Sequence, residues 1–373
     1  MRIVGTLALL LLSLPAQAWS EFQHRQMTHA ALEKVATDWG LEKAVTVRSF
    51  DDFLSAYSKM HPAITTREAF ANALKINPKS PFDQISGDEQ RRQTMIPIEI
   101  LSLHASDPDD GRDKDLPPEV SKDARWFGVG TGVSTQAFRH IEKPPFSLWH
   151  PINTFGFPFR KLGEATERVR IYFDLAREAR QAGDDYWAWR FLACSLHYIE
   201  DLNQPFHAAQ APPAMLWLGF KGYWNWGRET GQTLIGTVAH IISNAHHFLE
   251  AYAEWQTKEP TPVGSLWLKK IVGTKMELFQ NGVVAFARAT RDRSNTRASE
   301  TMRTVIDLTA DNLTGPATFD MDKTPPDDPR PMLRTDAKAR LKAASALNGI
   351  IERELEWAGR DIRSLVQRFL TVL

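Results

Sequence analysis

The sequence has little cysteine, no net charge and no Gly/Ser-rich linker. Cys194 is the only cysteine in 373 residues, so an internal disulfide is excluded and stability must come from the core and from any bound metal. The 45 Lys and Arg residues balance the 45 Asp and Glu residues. A neutral chain without a basic stripe is a poor candidate for binding a long nucleic-acid duplex, although a short or single-stranded one stays possible. The absence of a linker predicts one large domain.

Long apolar runs are also missing, except at the N-terminus. Residues 3–14 are largely apolar, follow the lone charge of Arg2, and precede the small residues Ala16 and Ala18. This run is shorter than the ~20 residues that a membrane-spanning helix needs. It therefore predicts a signal peptide over residues 1–18, with cleavage before Trp19, and a secreted or periplasmic protein.

Alternating strand patterns are scarce, whereas apolar residues recur every three or four positions along much of the chain. This periodicity predicts an all-α fold, with a single large helical domain over residues 19–373. The prolines and acidic residues of 312–331 predict a loop, and the turn at 181–185 predicts a helical hairpin. Helices are expected at 28–39, 161–182, 184–199, 233–256, 264–292, 298–313 and 335–371.

Two pairs of metal-binding residue types have helical spacing. His197 and Asp201 are four residues apart, so both side chains leave one face of a helix. A proline turn then returns His207 toward them, and His246 and Glu250 repeat the four-residue spacing. Imidazole and carboxylate groups are ligands that zinc binds readily. Either pair alone could be structural, but two such pairs in one chain favour a metal site.

The segment HYIEDLNQPFHAA, residues 197–209, resembles the signature of the bacterial zinc-dependent phospholipases C and of the related fungal single-strand-specific nucleases. The likeness includes the spacing of the two histidines and the aspartate, the Gln-Pro before the second histidine, Tyr198 and the trailing alanines. These families share an all-helical fold that holds three zinc ions. One ion is bound by the amino group and carbonyl of an N-terminal tryptophan, and the predicted cleavage exposes Trp19.

The resemblance implies further ligands. Near the start of the first helix, His29 fits best and His24 is the rival. His104 precedes an acidic stretch, and Asp88 is chosen as the upstream aspartate although Glu89 lies beside it. The implied ligand sets are Asp88, His104, His197 and Asp201 for one zinc ion, Trp19, His29 and the shared Asp201 for a second, and His207, His246 and Glu250 for a third.

The chemistry implied is metal-assisted hydrolysis of a phosphoric ester. Closely spaced zinc ions lower the pKa of bound water toward ~7 and stabilise charge on phosphoryl oxygens. Asp88 and the bridging Asp201 are the predicted catalytic carboxylates, with Asp88 placed to take a proton from water. Four histidines have no partner at ligand spacing and are expected to be structural, namely His61, His140, His150 and His240.

A hydrophobic insertion at about 208–245 lies between His207 and His246. Its aromatic side chains suit a lipid interface, stacking on bases, or packing in the core. Neutral charge and this insertion favour a phospholipase C-like enzyme acting on phospholipid head-group esters. A single-strand-specific nuclease or nucleotidase and a zinc-stabilised non-catalytic binding protein are the alternatives, and no protein partner is predicted. The aromatic residues are Trp217, Phe220, Tyr223, Trp224 and Trp226.

Overall fold

The computed structural model describes residues 19–76, 82–109, 139–143, 162–209, 213–229, 231, 234–259, 261–313 and 328–372. The predicted signal peptide lies outside these residues. Helices make up nearly all the regular structure in the described part, which confirms the all-α prediction. They are α1 (Glu21–Glu33), α2 (Phe50–Tyr57), α3 (Arg67–Leu74), α4 (Gly87–Arg92), α5 (Pro97–His104), α6 (Ala165–Gln181), α7 (Asp185–Asn203), α8 (Pro205–Ala208), α9 (Pro213–Gly222), α10 (Leu234–Lys258), α11 (Pro262–Gly273), α12 (Gly282–Asn295), α13 (Ala298–Thr309) and α14 (Ala337–Thr371).

Two antiparallel strand pairs, each two residues long, occur in the described part of the chain. Strand β1 (Val45–Thr46) pairs with β2 (Thr94–Met95), and β3 (Glu142–Lys143) pairs with β4 (Leu162–Gly163). The second pair fixes the segment 139–143 against the start of α6, because Glu142 lies opposite Gly163.

Helix α7 is the centre of the core. Every residue from Tyr186 to Asn203 is buried, and the helix packs along α6 while α1, α5, α12 and α14 contact its other sides. Asp184 begins it as an N-cap whose side chain accepts a hydrogen bond from the backbone N–H of Trp187. A helix enclosed in this way has no solvated face, so its polar residues must find partners inside the protein.

The C-terminal helix α14 closes the bundle. Arg363 of this helix donates hydrogen bonds to the carbonyl oxygens of Ala31 at the end of α1, and of Val272 and Thr274 at the end of α11. Carbonyl oxygens at the end of a helix have no backbone N–H of the same helix from which to accept a hydrogen bond. One buried guanidinium therefore joins three elements, and the predicted helix at 335–371 is confirmed with bounds shifted by two residues at its start.

Two helix predictions need correction. The helix predicted over 264–292 is two helices, because the backbone is extended at Thr274 and Gly282 has a positive φ of 78°. The first helix begins at Glu21 and ends at Glu33, rather than spanning 28–39, because Ser20 and Gln23 form a capping box.

Residues 314–327 of the predicted loop lie outside the described part of the chain. None of the described helices combines the length and the apolar character needed to cross a membrane.

Candidate metal centre

Eight buried side chains converge on one region at the C-terminal half of α7. They form three groups, and within each group one ligand-type atom per residue lies within 4.8 Å of the others. The first two groups share His197. The members of the three groups come from α1, from the segment after α5, from residues 139–143, and from α7, α8 and α10. The groups are His24, His197 and Asp201; Asp109, His140 and His197; and His207, His246 and Glu250.

In the first group, α1 and α7 each supply a histidine beside Asp201. The Nε2 atom of His24 lies 3.5 Å from Oδ1 of Asp201, and both atoms are buried without a hydrogen-bond partner. Nδ1 of His24 contacts the carboxylate of Glu200, which also accepts a 2.6 Å hydrogen bond from the hydroxyl of Thr28. Glu200 thus orients His24 from behind, as carboxylates commonly orient metal-binding histidines.

The second group is built around His140. Its Nδ1 atom lies 2.9 Å from both Nε2 of His197 and Oδ2 of Asp201, and 3.6 Å from Oδ1 of Asp109. His140 is placed by the β3–β4 pair, which begins two residues later. Asp109 is placed by the chain that leaves α5.

The third group joins α8 to α10. Nε2 of His207 lies 3.0 Å from Nε2 of His246, and Nε2 of His246 lies 2.9 Å from Oε1 of Glu250. The other carboxylate oxygen of Glu250 lies 3.3 Å from Nδ1 of His247. The four-residue spacing of His246 and Glu250 therefore brings both side chains to the position that the sequence predicts.

Two hydrogen bonds fix which ring nitrogen of His197 and His207 is free to bind a cation. Nδ1 of His197 donates to the carbonyl oxygen of Ala105, and Nδ1 of His207 donates to that of His140, each over 2.8 Å. A carbonyl only accepts hydrogen bonds, so Nδ1 of each ring carries a proton, and Nε2 is the nitrogen that presents a lone pair to the cluster when the ring is neutral. Convergent nitrogen lone pairs and carboxylate oxygens fit a zinc ion.

Burial and neighbouring charges shift the pKa values of the cluster in different directions. Burial, together with the proximity of His246, lowers the pKa of His207 to about 3, so this ring is neutral at pH 7. Burial raises the pKa of Asp109. For Asp201, the opposing attraction of His197 and His140 outweighs burial and holds the pKa well below its usual range. Asp201 is therefore an ionised carboxylate, which is the form in which a carboxylate can bind a cation.

Trp19 lies beside this cluster. Its side chain is fully buried, and its indole Nε1 donates a 3.1 Å hydrogen bond to the carbonyl oxygen of Glu200, the residue before Asp201. The first residue of the predicted mature chain is therefore anchored to α7 next to the first group. A metal contact through its backbone stays a prediction.

Three of the residues selected from the sequence lie outside the cluster. His29 is exposed, and the rival His24 occupies the position near Asp201. The side chain of Asp88 is 81% exposed and pairs with Arg91. His104 is buried but belongs to none of the three groups. The structure therefore does not support His29, Asp88 or His104 as ligands.

His104 has other partners. Its Nε2 lies 2.8 Å from Glu89, whose same oxygen accepts a 2.8 Å hydrogen bond from the hydroxyl of Tyr186, and its Nδ1 lies 3.0 Å from Asp107. Burial would raise the pKa of Glu89, but the hydrogen bonds from His104, Ser86 and Tyr186 outweigh it and lower the pKa to about 2. This cluster holds the end of α5 in place, directly before Ala105 and Asp109.

The residues that sequence analysis missed are Asp109 and His140. Asp109 lies in the acidic stretch that led to the choice of His104. The stretch therefore pointed to this part of the chain, but Asp88 was chosen as the aspartate instead of Asp109. His140 has no partner at helical spacing, and its expected structural role is not supported, because the fold brings it to the centre of the cluster.

Of the other histidines assigned structural roles, His61 pairs with Glu178 and His240 contacts Asn244, whereas residue 150 lies outside the described part.

Comparison with known proteins gives one limited likeness. A phospholipase C from Bacillus cereus is 35% identical to this chain over 89 residues, which cover 18% of this chain and 31% of that enzyme. The chain thus aligns with about a third of the length of this relative. No family model matches the sequence.

Proposed function

We propose that this protein is a zinc-dependent phosphodiesterase that hydrolyses the head-group esters of phospholipids. The convergence of three buried histidine and carboxylate groups in one cluster carries the proposal. The similarity to a phospholipase C supports a phospholipid rather than a nucleic acid as the substrate. Five histidines and three carboxylates with low exposure have no role in packing that would require them to meet at one place.

The donor groups divide among three zinc ions. His24 and Asp201, with the N-terminal Trp19, would hold one ion, and Asp109, His140 and His197 would hold a second beside the same aspartate. His207, His246 and Glu250 would hold the third. When bound, closely spaced zinc ions supply a water of lowered pKa and neutralise negative charge on the phosphoryl group.

The protein's own groups orient these donors. Asp201 presents Oδ1 to His24 and Oδ2 to His140 and His197, so one carboxylate serves two neighbouring groups. Asp109 is the carboxylate placed to accept a proton, in place of the exposed Asp88, because it is fully buried at the cluster. The carbonyl oxygens of Ala105 and His140 keep two histidine rings in the tautomer that presents Nε2.

Export belongs to the same proposal. Cleavage of the predicted signal peptide after residue 18 would make Trp19 the N-terminal residue and give it a free amino group beside Asp201. The burial of Trp19 and its bond to the carbonyl of Glu200 support this order of events. We therefore propose a secreted or periplasmic protein.

The first experiment uses the mature protein, beginning at Trp19. Zinc is counted by elemental analysis, and hydrolysis of phosphatidylcholine and of single-stranded DNA is measured with and without a chelator. Close to three zinc ions and chelator-sensitive release of phosphocholine are expected. The variant His246→Ala should lose one zinc ion and most of the activity, whereas the matched control His29→Ala should retain both.

The other outcomes distinguish the alternatives. Cleavage of DNA without release of phosphocholine would replace the phospholipase with a nuclease. Bound zinc without either activity would indicate a binding protein. A mature protein that binds no zinc would refute the proposal.

A further inference from the structure

Three large aromatic side chains project from one side of the α9 segment. Trp217 is 74% exposed, Phe220 is 52% exposed, and Trp224, in the π-helical turn Tyr223–Gly227 that continues α9, is 69% exposed. Spacings of three and four residues place side chains on the same face of a helical segment. We call Trp217, Phe220 and Trp224 the aromatic face. The alternative that these aromatics pack in the core is wrong for these three residues.

The aromatic face stands on an anchored support. Leu218 packs against the core, and Gly222 and Gly227 are buried. A Cβ atom at Gly227 would collide with the hydroxyl of Thr237, so the π-helical turn lies directly against α10. The aromatic rings therefore face outward because the opposite side of their segment is packed. A contiguous apolar surface of this kind marks an interaction site.

Two basic residues lie within the segment that carries the aromatic face. From residue 208 to residue 228 the charged residues are Lys221 and Arg228, and the first acidic residue, Glu229, follows the segment. The guanidinium of Arg228 lies 4.9 Å from the centre of the Trp224 ring. Tryptophan rings flanked by basic side chains suit the boundary between lipid head groups and acyl chains, where the rings enter and the cations meet phosphate groups.

The size of the aromatic face argues against a second protein molecule. Three side chains that each present part of 150–250 Å² supply roughly 400 Å², about half of the ~800 Å² that each partner of a stable complex contributes. Single-stranded nucleic acid would require a longer basic track than two residues provide. A bilayer needs neither a large complementary surface nor an extended charged groove.

We infer that the aromatic face docks this protein onto the surface of phospholipid bilayers. The inference deepens the proposed function and rests on its lipid substrate. In sequence the aromatic face lies between His207 and His246, and α9 packs on α10, which carries His246 and Glu250. A segment that leaves the third metal-binding group and returns to it would hold that group near the lipid surface.

Binding to vesicles tests this docking directly. Vesicles of phosphatidylcholine, alone or with phosphatidylglycerol, are mixed with the zinc-loaded protein, and binding is recorded in the first seconds, before appreciable hydrolysis. The triple variant Trp217→Ala/Phe220→Ala/Trp224→Ala should bind at least 100-fold more weakly, since each buried aromatic ring contributes about a factor of ten or more. Lys221→Gln should weaken binding to the phosphatidylglycerol vesicles more than to the others.

The matched control is Leu341→Ala on α14. Leu341 is 71% exposed, like the aromatic face, but belongs to a different element, so its replacement should leave vesicle binding unchanged. Urea unfolding of the triple variant should match that of the unmodified protein, because exposed side chains contribute little to stability. Equal vesicle binding by the triple variant and the unmodified protein would overturn the inference. So would a triple variant that loses only a dimer or only affinity for DNA.

Activity on dihexanoyl phosphatidylcholine, below its critical micelle concentration, separates docking from catalysis. The triple variant should hydrolyse this dispersed substrate at the normal rate while losing at least 100-fold on vesicles. Vesicle binding through the aromatic face without any hydrolysis would support docking and refute the proposed enzyme activity. Hydrolysis of the dispersed substrate by a protein that never binds vesicles would do the reverse.

Discussion

The replacement Glu89→Gln tests whether the buried cluster around His104 is structural or binds metal. The pKa of Glu89 falls from 4.5 to about 2 in the folded protein. A difference of roughly 2.5 pKa units corresponds to about 3 kcal/mol, which is the stability that the ionised carboxylate contributes at pH 7. Glu89→Gln keeps an acceptor oxygen but removes the charge, so we expect a free energy of unfolding lower by up to about 3 kcal/mol.

The pH dependence of this loss has a definite sign. Because folding lowers the pKa of Glu89, the contribution is complete above about pH 4.5 and is lost as the pH falls toward 2. Urea unfolding with chelator present, so that metal plays no part, should therefore show a difference between the two proteins that is about 1 kcal/mol smaller at pH 3.5 than at pH 7. The full difference should be reached by pH 6.

The control is the neighbouring replacement Asp88→Asn. Asp88 is exposed and pairs only with Arg91 at the surface, so stability should change by less than about 0.5 kcal/mol. Both variants should bind as much zinc as the unmodified protein. If Glu89→Gln or Asp88→Asn instead lost a zinc ion at unchanged stability, the metal site would include this acidic pair, as the sequence first indicated, and the structural explanation would be refuted.

Other predictions concern the metal cluster and its support. His24→Ala should lose one zinc ion by elemental analysis while His29→Ala loses none, and the opposite result would restore the sequence-based choice. Glu200→Gln should weaken binding of one zinc ion by about 10- to 100-fold in chelator competition, because it orients His24; unchanged affinity would mean that this contact is incidental. Gly163→Ala should lower the free energy of unfolding by about 1–3 kcal/mol in urea, since φ is 87° and a Cβ atom would strike the carbonyl of Ile141. Unchanged stability would show that the β3–β4 pair is dispensable.

The part of the candidate site in which the metal-binding residue types have local spacing could be predicted from the sequence. His197 with Asp201, and His246 with Glu250, need only a continuous helix to share a face, and the helical periodicity around both pairs is strong. His207 follows after a single proline turn. No long-range packing has to be known for these five positions, so their convergence could be predicted.

The structure places His24 rather than His29 beside Asp201, because the first helix begins earlier than the sequence analysis placed it. The capping box of Ser20 and Gln23 is readable in the sequence and begins the helix at Glu21. Five residues along a helix turn the side chain by about 140°, so His24 and His29 cannot face the same neighbour. Applying the capping signal would have moved the choice to His24.

Asp109 and His140 could not be paired from the sequence. Thirty residues separate them, and their meeting depends on a two-residue strand pair and on the Glu89–His104 cluster that fixes the end of α5. Neither support has a distinctive sequence pattern, and the acidic stretch after His104 offers several carboxylates at similar spacing. Tertiary packing alone decides which of them is buried beside His197.

The C-terminal third of the chain, which showed no functional motif, has a clear structural part in the site. Asn203 lies in the turn between Asp201 and His207, and its side chain accepts a 2.8 Å hydrogen bond from Arg293 of α12 and donates one of 3.2 Å to Asp361 of α14. Arg293 and Asp361 also pair with each other over 2.5 Å. Asp361 is fully buried and also pairs with Arg360, whereas Arg293 is 22% exposed, so removing Arg293 would weaken the charge compensation of Asp361 without abolishing it.

The position of that ion pair explains how a local motif can serve the whole cluster. The segment from His197 to His207 contributes a residue to each of the three groups, so the angle at which the chain leaves α7 sets the distance between the third group and the other two. Ser294 of α12 adds a 2.9 Å hydrogen bond to the carbonyl oxygen of Asn203 at the same turn. Helices α12 and α14 therefore support the turn that sets the spacing of the three groups, although neither helix contributes a residue to them.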